Sequence, residues 1–260
     1  MIEIRLPNGQ SMPALGLGTW PLRGTTCEHA VRTALDLGYR HIDTAERYEN
    51  EAEVGAAIAG SGIDRADLFV TTKVWPDHFR AADLRRAMDE SLRRLRLDYV
   101  DLYLLHWPNE QVPLAETVGA LNEVAAQGKA RSIGVSNFSV SLLDEAVALS
   151  TAPIACDQVK YHVLHPQRTL VEHARAKDIA ITAYSPLAKG QLADDPVLAR
   201  IGAKHGKTAL QVALRWLVQQ DGVAAIPKAT REPNLRSNFE IFDFSLDGDD
   251  QQALAMLAGT

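Results

Sequence analysis

Eight times along this chain, a short apolar segment ending in small or polar residues is followed by a stretch with helical periodicity. The segments that read as strands are Leu15–Thr19, His41–Ala45, Phe69–Val74, Val100–Trp107, Ser132–Asn137, Ala155–Lys160, Ala180–Pro186 and Val223–Ala229. Amphipathic stretches lie between them, for example Ala81–Leu95 and Leu114–Gln127, where apolar residues recur at helical spacing. Most successive strand ends stand about 23–33 residues apart, room for one strand and one crossover helix. The interval from Pro186 to Ala229 is longer and predicts an extra helix at Pro196–His205 before Thr208–Gln219. Asp247–Leu257 reads as a final helix lying across the outside.

Ahead of this repeat, Ile2–Leu6 and Gln10–Leu15 flank Pro7-Asn8-Gly9, a hairpin signal. An isolated two-stranded hairpin does not hold together in water, so it must cap something larger. Eight strand–helix units in 260 residues point to an α/β fold, a (β/α)8 TIM barrel with an N-terminal hairpin cap and one or two extra helices. An open doubly wound sheet is the competitor. It usually begins with a G-x-G-x-x-G turn, and Gly16-Leu17-Gly18-Thr19 lacks the third glycine. With no Pro/Ser-rich linker, residues 1–260 read as a single domain.

Composition narrows the function. Apolar residues make up 46% and charged residues 23% of the chain, which suits a soluble protein with a large core. The formal charge is -6 with Lys and Arg scattered, which argues against nucleic acid as a partner. No apolar run approaches the ~18 residues of a membrane span. The N-terminus lacks the basic-then-apolar pattern of a secretory signal, so a cytoplasmic location is expected. Cys27 and Cys156 have no metal or redox spacing, and no metal site is expected. Without a long exposed apolar segment, a monomer is expected.

In such a barrel, functional groups come from the C-terminal ends of strands and the loops after them. Gly38–Glu51 supplies Asp43 at a strand end and Tyr48 in the following loop. The third strand carries Lys73 near its end, and the fourth ends in His106 and Trp107. Each residue has an ordinary structural explanation: Asp43 as a helix cap, Tyr48 as rim, Lys73 as the solvated side of a pleat, His106 as a satisfied core histidine. Together on one rim they suit proton delivery. The phenol of Tyr48 holds its proton at neutral pH. The Lys73 ammonium is expected to lower that pKa, with Asp43 holding the lysine charged. His106 would orient a substrate oxygen. A carbonyl becoming an alcohol needs a hydride that no side chain supplies, which implies a nicotinamide cofactor. The other strand ends suit a dinucleotide: Ser136, Asn137 and Gln158 for a carboxamide, Tyr184 for a flat ring, and Lys228 for phosphate. The helix after Lys228 would aim backbone N–H groups at an anion.

These residues resemble the aldo-keto reductase family over nearly the whole chain, in the motifs GYRHIDTAERYENE, LFVTTKVW, LRLDYVDLYLLHWP, IGVSNF, IPKAT and NFEIFDF. The likeness runs to its bacterial branch of diketogluconic acid and methylglyoxal reductases. It implies a barrel binding extended NADPH without a Rossmann fold, with NADH as a second cofactor. It implies a catalytic tetrad of Asp43, Tyr48, Lys73 and His106 with Tyr48 as general acid. Cofactor contacts would fall on Gly18, Thr19, Trp20, Asp43, Ser136, Asn137, Gln158, Tyr184, Ser185, Pro186, Leu187, Ile226, Pro227 and Lys228. They would continue through Ala229, Thr230, Arg231, Asn234 and Asn238. Trp20, Trp75 and Trp107, with Tyr48 and His106, would form the cleft for a small carbonyl substrate.

Two departures from the family pattern bear on specificity. Ala229 and Asn234 stand where the family often has a Ser and an Arg that clamp a 2′-phosphate, leaving Lys228 with Arg231 as the electrostatic partners and weakening the preference for NADPH. The chain stops at Thr260, where many relatives continue into a loop walling the substrate site, so a more open cleft is expected. Two other functions stay open at this point: a Schiff-base aldolase built on Lys73, and a non-catalytic NADPH-binding subunit that signals to a partner.

Overall fold

The computed structural model describes residues 2–257. β1 (Glu3–Arg5) and β2 (Ser11–Pro13) pair antiparallel as the predicted hairpin. The barrel strands follow: β3 (Leu17–Gly18), β4 (His41–Asp43), β5 (Phe69–Val74), β6 (Val100–Leu105), β7 (Ala130–Ser136), β8 (Ile154–Lys160), β9 (Ala180–Tyr184) and β10 (Val223–Ala225). They form one sheet in strictly consecutive order, β10 through β3. Consecutive order leaves no switch point, so the doubly wound alternative is excluded. The sheet also closes on itself. Leu15 bridges Ala225 in parallel, the Gly16 N–H donates to the Ala225 carbonyl at 2.9 Å, and the Ala225 N–H donates to the Ala14 carbonyl at 2.8 Å.

The crossovers are α1 (Gly24–Asp36), α2 (Glu51–Ala59), α3 (Ala81–Leu95), α4 (Leu114–Ala126), α5 (Val140–Leu149), α6 (Arg168–Arg175), the extra α7 (Pro196–His205), α8 (Ala209–Val218) and α9 (Glu232–Phe239). α10 (Gly248–Leu257) is the predicted final helix. Every residue of β5 and β6 is buried, because the helices cover one face of the sheet and the barrel interior the other. Outside the barrel, Leu192, Leu198, Ile201, Leu246 and Leu254 form a second apolar cluster. Asp250 ties α10 to α7 by accepting from Lys204 at 2.9 Å and sitting 2.7 Å from His205 Nε2.

Several strands are shorter than their apolar runs predict. β4 stops at Asp43, β6 at Leu105, β9 at Tyr184 and β10 at Ala225. Ser185 takes a left-handed φ of 51°, which ends β9, and Pro227 has no N–H to continue a ladder beyond β10. Thr44, Ala45, His106, Pro186, Ile226 and Pro227, just past these ends, are still buried against the rim, so they read as strand while serving as loop. At the barrel seam, a Cβ on Gly18 would lie 2.6 Å from the Ile226 carbonyl, so only glycine lets β3 and the loop after β10 approach this closely.

The hairpin closes the N-terminal mouth. Asn8 Nδ2 donates to Ser132 Oγ at 2.8 Å, Gln10 Nε2 to Asp101 Oδ1 at 2.8 Å, and Ser132 Oγ to Gln10 Oε1 at 2.9 Å. Asp101 and Ser132 stand near the starts of β6 and β7, so the opposite mouth is left for function. No described helix is long and apolar enough to cross a membrane.

Candidate active site

At the C-terminal mouth, β4 and β5 place Asp43 and Lys73 side by side, 1% and 0% exposed. Lys73 Nζ donates to Asp43 Oδ1 at 2.6 Å and to the Thr44 carbonyl at 2.8 Å. The other carboxylate oxygen accepts from Gln158 Nε2 at 2.7 Å, a bond from β8 across the mouth to β4. A buried charge persists only when paired and hydrogen-bonded, and here both conditions hold. Burial opposes charge on Lys73, but Asp43 and Tyr48 outweigh it and hold the ammonium above its ordinary pKa. A lysine kept this firmly protonated is a poor nucleophile, which removes the support for an aldolase.

Tyr48 enters from a single helical turn, Glu46–Tyr48, ended by Glu49 at a left-handed φ of 51°. Buried Asn50 locks the loop: it accepts from Thr44 Oγ1 at 2.6 Å and donates to the Leu22 carbonyl at 2.9 Å. Glu46 accepts from the Trp75 N–H and so joins this turn to the end of β5. The phenol oxygen comes to 3.4 Å from Lys73 Nζ. Contrary to the expectation from the sequence, the Tyr48 pKa is not lowered. Burial raises it more than Lys73 lowers it, and Asp43 adds to the rise. The phenol therefore holds its proton throughout the neutral range.

His106, directly after β6, stacks edge-on against Tyr48 (5.5 Å between ring centres) and Trp75 (5.1 Å). Burial, then the Lys73 charge, push its pKa down to about 3, so the ring is neutral near pH 7. A neutral imidazole beside the phenol has one N–H to donate and no charge of its own. Its Nδ1 is buried without a partner.

Asp43, Tyr48, Trp75 and His106 line a cleft of about 1000 Å³, with Trp20 (53% exposed) and Trp107 (43%) at its rim. Its wall also carries Gly18, Thr19, Ser136, Asn137, Gln158, Tyr184 to Leu187, Ile226 to Ala229, Asn234 and Asn238. Thr230 and Arg231 lie outside this wall, Arg231 being exposed at the N-terminus of α9. The expected helix-end anion site is also weak. α9 begins with Glu232 and Pro233, and the Arg231 carbonyl takes the N–H groups of Asn234 and Leu235. Cleft residues that the sequence did not reveal include Arg47, Lys189 and Leu210. Lys189 sits in a left-handed loop just after β9, and no sequence pattern marks it.

The amide contacts are partly taken within the protein. Asn137 donates to the His106 carbonyl at 3.2 Å and to Ser136 Oγ at 3.0 Å, while its Oδ1 accepts from Tyr184 Oη at 2.9 Å. Gln158 keeps its Oε1 and one N–H for a ligand. A nicotinamide carboxamide needs one donor and one acceptor, so the donor set fits that group. The expected effect of the chain's end at Thr260 concerns Ala258–Thr260, outside the described residues.

Next to Gln158, Asp157 is buried with neither carboxylate oxygen in a hydrogen bond. Its nearest donors are the N–H groups of Phe138 and Asn137, and the latter is already given to the Gln158 carbonyl. Burial pushes the Asp157 carboxyl up to about 7, offset only in part by those N–H groups. The folded state then binds more protons than the unfolded chain between about 3.8 and 7, so stability falls as pH rises through that window. Asp157→Asn is expected to stabilise the fold at pH 8 by at most about 4 kcal/mol and to have little effect near pH 4. Denaturant melts at the two pH values check this, and a pH-independent difference would contradict it.

Residues 14–258 match the Aldo/keto reductase family. The chain is 44% identical over 250 residues to methylglyoxal reductase DkgB of Salmonella typhi, covering 95% of this chain and 93% of that protein. It is 40% identical over 255 residues to a glyoxal reductase of Bacillus subtilis, covering 98% and 92%. Among solved structures, a putative 2,5-diketo-D-gluconic acid reductase B superposes with a TM-score of 0.96 at 50% identity, covering 99% of this chain and 92% of that one.

Proposed function

The chain belongs to the aldo/keto reductase family and is an oxidoreductase; from that footing we propose that it reduces small aldehydes, keto acids or keto-sugars with NADPH, Tyr48 delivering the proton. The observation that carries this reading is Tyr48 Oη facing an open cleft, 3.4 Å from a lysine that is itself 2.6 Å from a buried carboxylate. A bound nicotinamide would supply the hydride to the carbonyl carbon. Gln158 would hold its carboxamide, and Lys228 and Lys189, both exposed on the cleft wall, would meet its phosphates.

The chain's own residues then manage the oxygen. Neutral His106 donates a hydrogen bond to the carbonyl oxygen and orients it. As negative charge builds there, Tyr48 Oη gives up its proton. The phenolate left behind faces the Lys73 ammonium, which stabilises it. The raised pKa of Tyr48 delays transfer until the oxygen is strongly basic, which keeps the phenol protonated between turnovers. The three tryptophans supply apolar surface beside the reacting carbonyl.

An assay of NADPH and NADH oxidation against methylglyoxal, glyoxal, aromatic aldehydes, keto acids and aldoses tests this. One alcohol formed per cofactor oxidised is the expected result; no turnover with any carbonyl would overturn it. Trapping with borohydride should leave no adduct on Lys73. For cofactor choice, Lys228→Met is expected to raise KM for NADPH about tenfold or more, the size of one charge-assisted contact, while changing KM for NADH little. Equal effects on both cofactors would mean that Lys228 does not read the 2′-phosphate.

A further inference from the structure

A second cavity of about 600 Å³ lies beside the catalytic cleft. Trp107, Asn137, Lys160 and Tyr184 line both spaces, so the two share a wall. The partition is thin: Tyr184 Oη donates to Asn137 Oδ1 at 2.9 Å, and Asn137 Nδ2 donates to the carbonyl of His106 at 3.2 Å. Trp107 and Lys160 are exposed and line both spaces, so the two meet at the surface over this wall.

That chamber is cationic in a chain whose formal charge is -6. Lys160, His165 and Arg168 line it, and no Asp or Glu does. All three side chains are exposed, and none has an acidic partner among the described residues. Arg168 spends one Nη on the Ala255 carbonyl at 2.9 Å and keeps its other donors. α6 begins at the chamber, and the N–H groups of its first turn have no partner inside the helix. The field of these groups is felt nearby: after burial, Lys160 and His165 are what push His162 down to about 4. Unpaired cations around a concave space attract an anion, and an arginine fork suits a carboxylate or a phosphate monoester equally.

The geometry points to a specificity pocket in which Lys160 and Arg168 seat the anionic tail of a carbonyl substrate whose aldehyde or ketone end lies at Tyr48. This rests on the carbonyl-reduction reading above and narrows its substrate class to carbonyl compounds that carry a carboxylate or phosphate.

The test compares kcat/KM for ω-oxocarboxylates of increasing length with neutral aldehydes of the same length, and for glyceraldehyde 3-phosphate with glyceraldehyde. At one length or in the phosphate pair, the anionic member is expected to win by about tenfold or more, as one charge-assisted contact provides. Arg168→Gln, which alters a residue outside the catalytic cleft, is expected to abolish that excess and to leave the neutral aldehydes within about twofold; Lys160→Gln is expected to cut the anionic substrates more than the neutral ones. The carboxylate and phosphate arms show which tail the pocket takes. No anionic preference at any length, or equal losses on neutral and anionic substrates, would overturn the proposal. A calorimetric titration of the same protein with succinate and with inorganic phosphate gives a readout without turnover: weaker binding in both variants supports the pocket, and unchanged binding overturns it. Failure of the neutral aldehydes to react would count against carbonyl reduction itself, while this titration would still decide the pocket.

Discussion

Tyr48→Phe is expected to lower the rate of carbonyl reduction by about 10²–10⁴-fold, the usual contribution of a positioned general acid, while leaving cofactor affinity and melting temperature near their wild-type values. The substitution removes one oxygen and almost no volume. The ring keeps its edge-on contact with His106 and its packing on Trp20 at 5.2 Å, so the cleft keeps its shape. Among the described residues, the phenol's one hydrogen bond is the long 3.4 Å contact from Lys73, whose ammonium retains Asp43 and the Thr44 carbonyl. Fluorescence titration with NADPH and a steady-state assay read the two quantities separately. A variant that turns over normally would remove Tyr48 from the proton-delivery role. One that loses cofactor binding as well would show the phenol to be part of the binding wall.

The second large effect concerns the buried ion pair. Lys73→Met leaves Asp43 charged, almost wholly buried, and with Gln158 as its remaining side-chain donor. Breaking a buried pair by removing one partner typically destabilises by about 3–5 kcal/mol, which for a chain of this size lowers the melting temperature by about 10 °C. Activity should fall about 10²-fold or more as well, because the phenolate formed during turnover loses its neighbouring ammonium. The double variant Asp43→Asn with Lys73→Met separates the two roles. It removes the orphaned charge, so most of the stability should return, while activity should stay low. Recovery of activity together with stability would mean that Lys73 serves the fold alone.

The eight strands were legible because a parallel strand covered on both faces must be apolar along its length, and runs such as Phe69–Val74 and Val100–Leu105 have no other use. Their ends were less legible, since His106-Trp107 and Ile226-Pro227 stay apolar or buried while serving as rim. The four reactive residues stood out for the reason that makes them costly: Lys73 among Val and Thr in a buried strand needs a partner, and Asp43 was the one at hand. The Gln158–Asp43 bond was not legible, because it joins residues 115 apart across a barrel mouth. Nor was the rise of the Tyr48 pKa, which depends on how tightly Trp20, His106 and the neighbouring loop pack around the phenol. Lys189 carries no motif at all, and only the path of the loop after β9 brings it to the cleft.

Isotope transfer examines the central claim directly. With reduced cofactor carrying deuterium at one of the two nicotinamide C4 positions, and methylglyoxal in ordinary water, the alcohol formed should bear one deuterium on its carbinol carbon. Its hydroxyl proton should exchange with water. Label should arrive from only one of the two C4 positions, because a ring whose carboxamide is held by Gln158 would turn one face toward Tyr48 and His106. A carbinol hydrogen drawn from solvent, or equal transfer from both positions, would contradict the account.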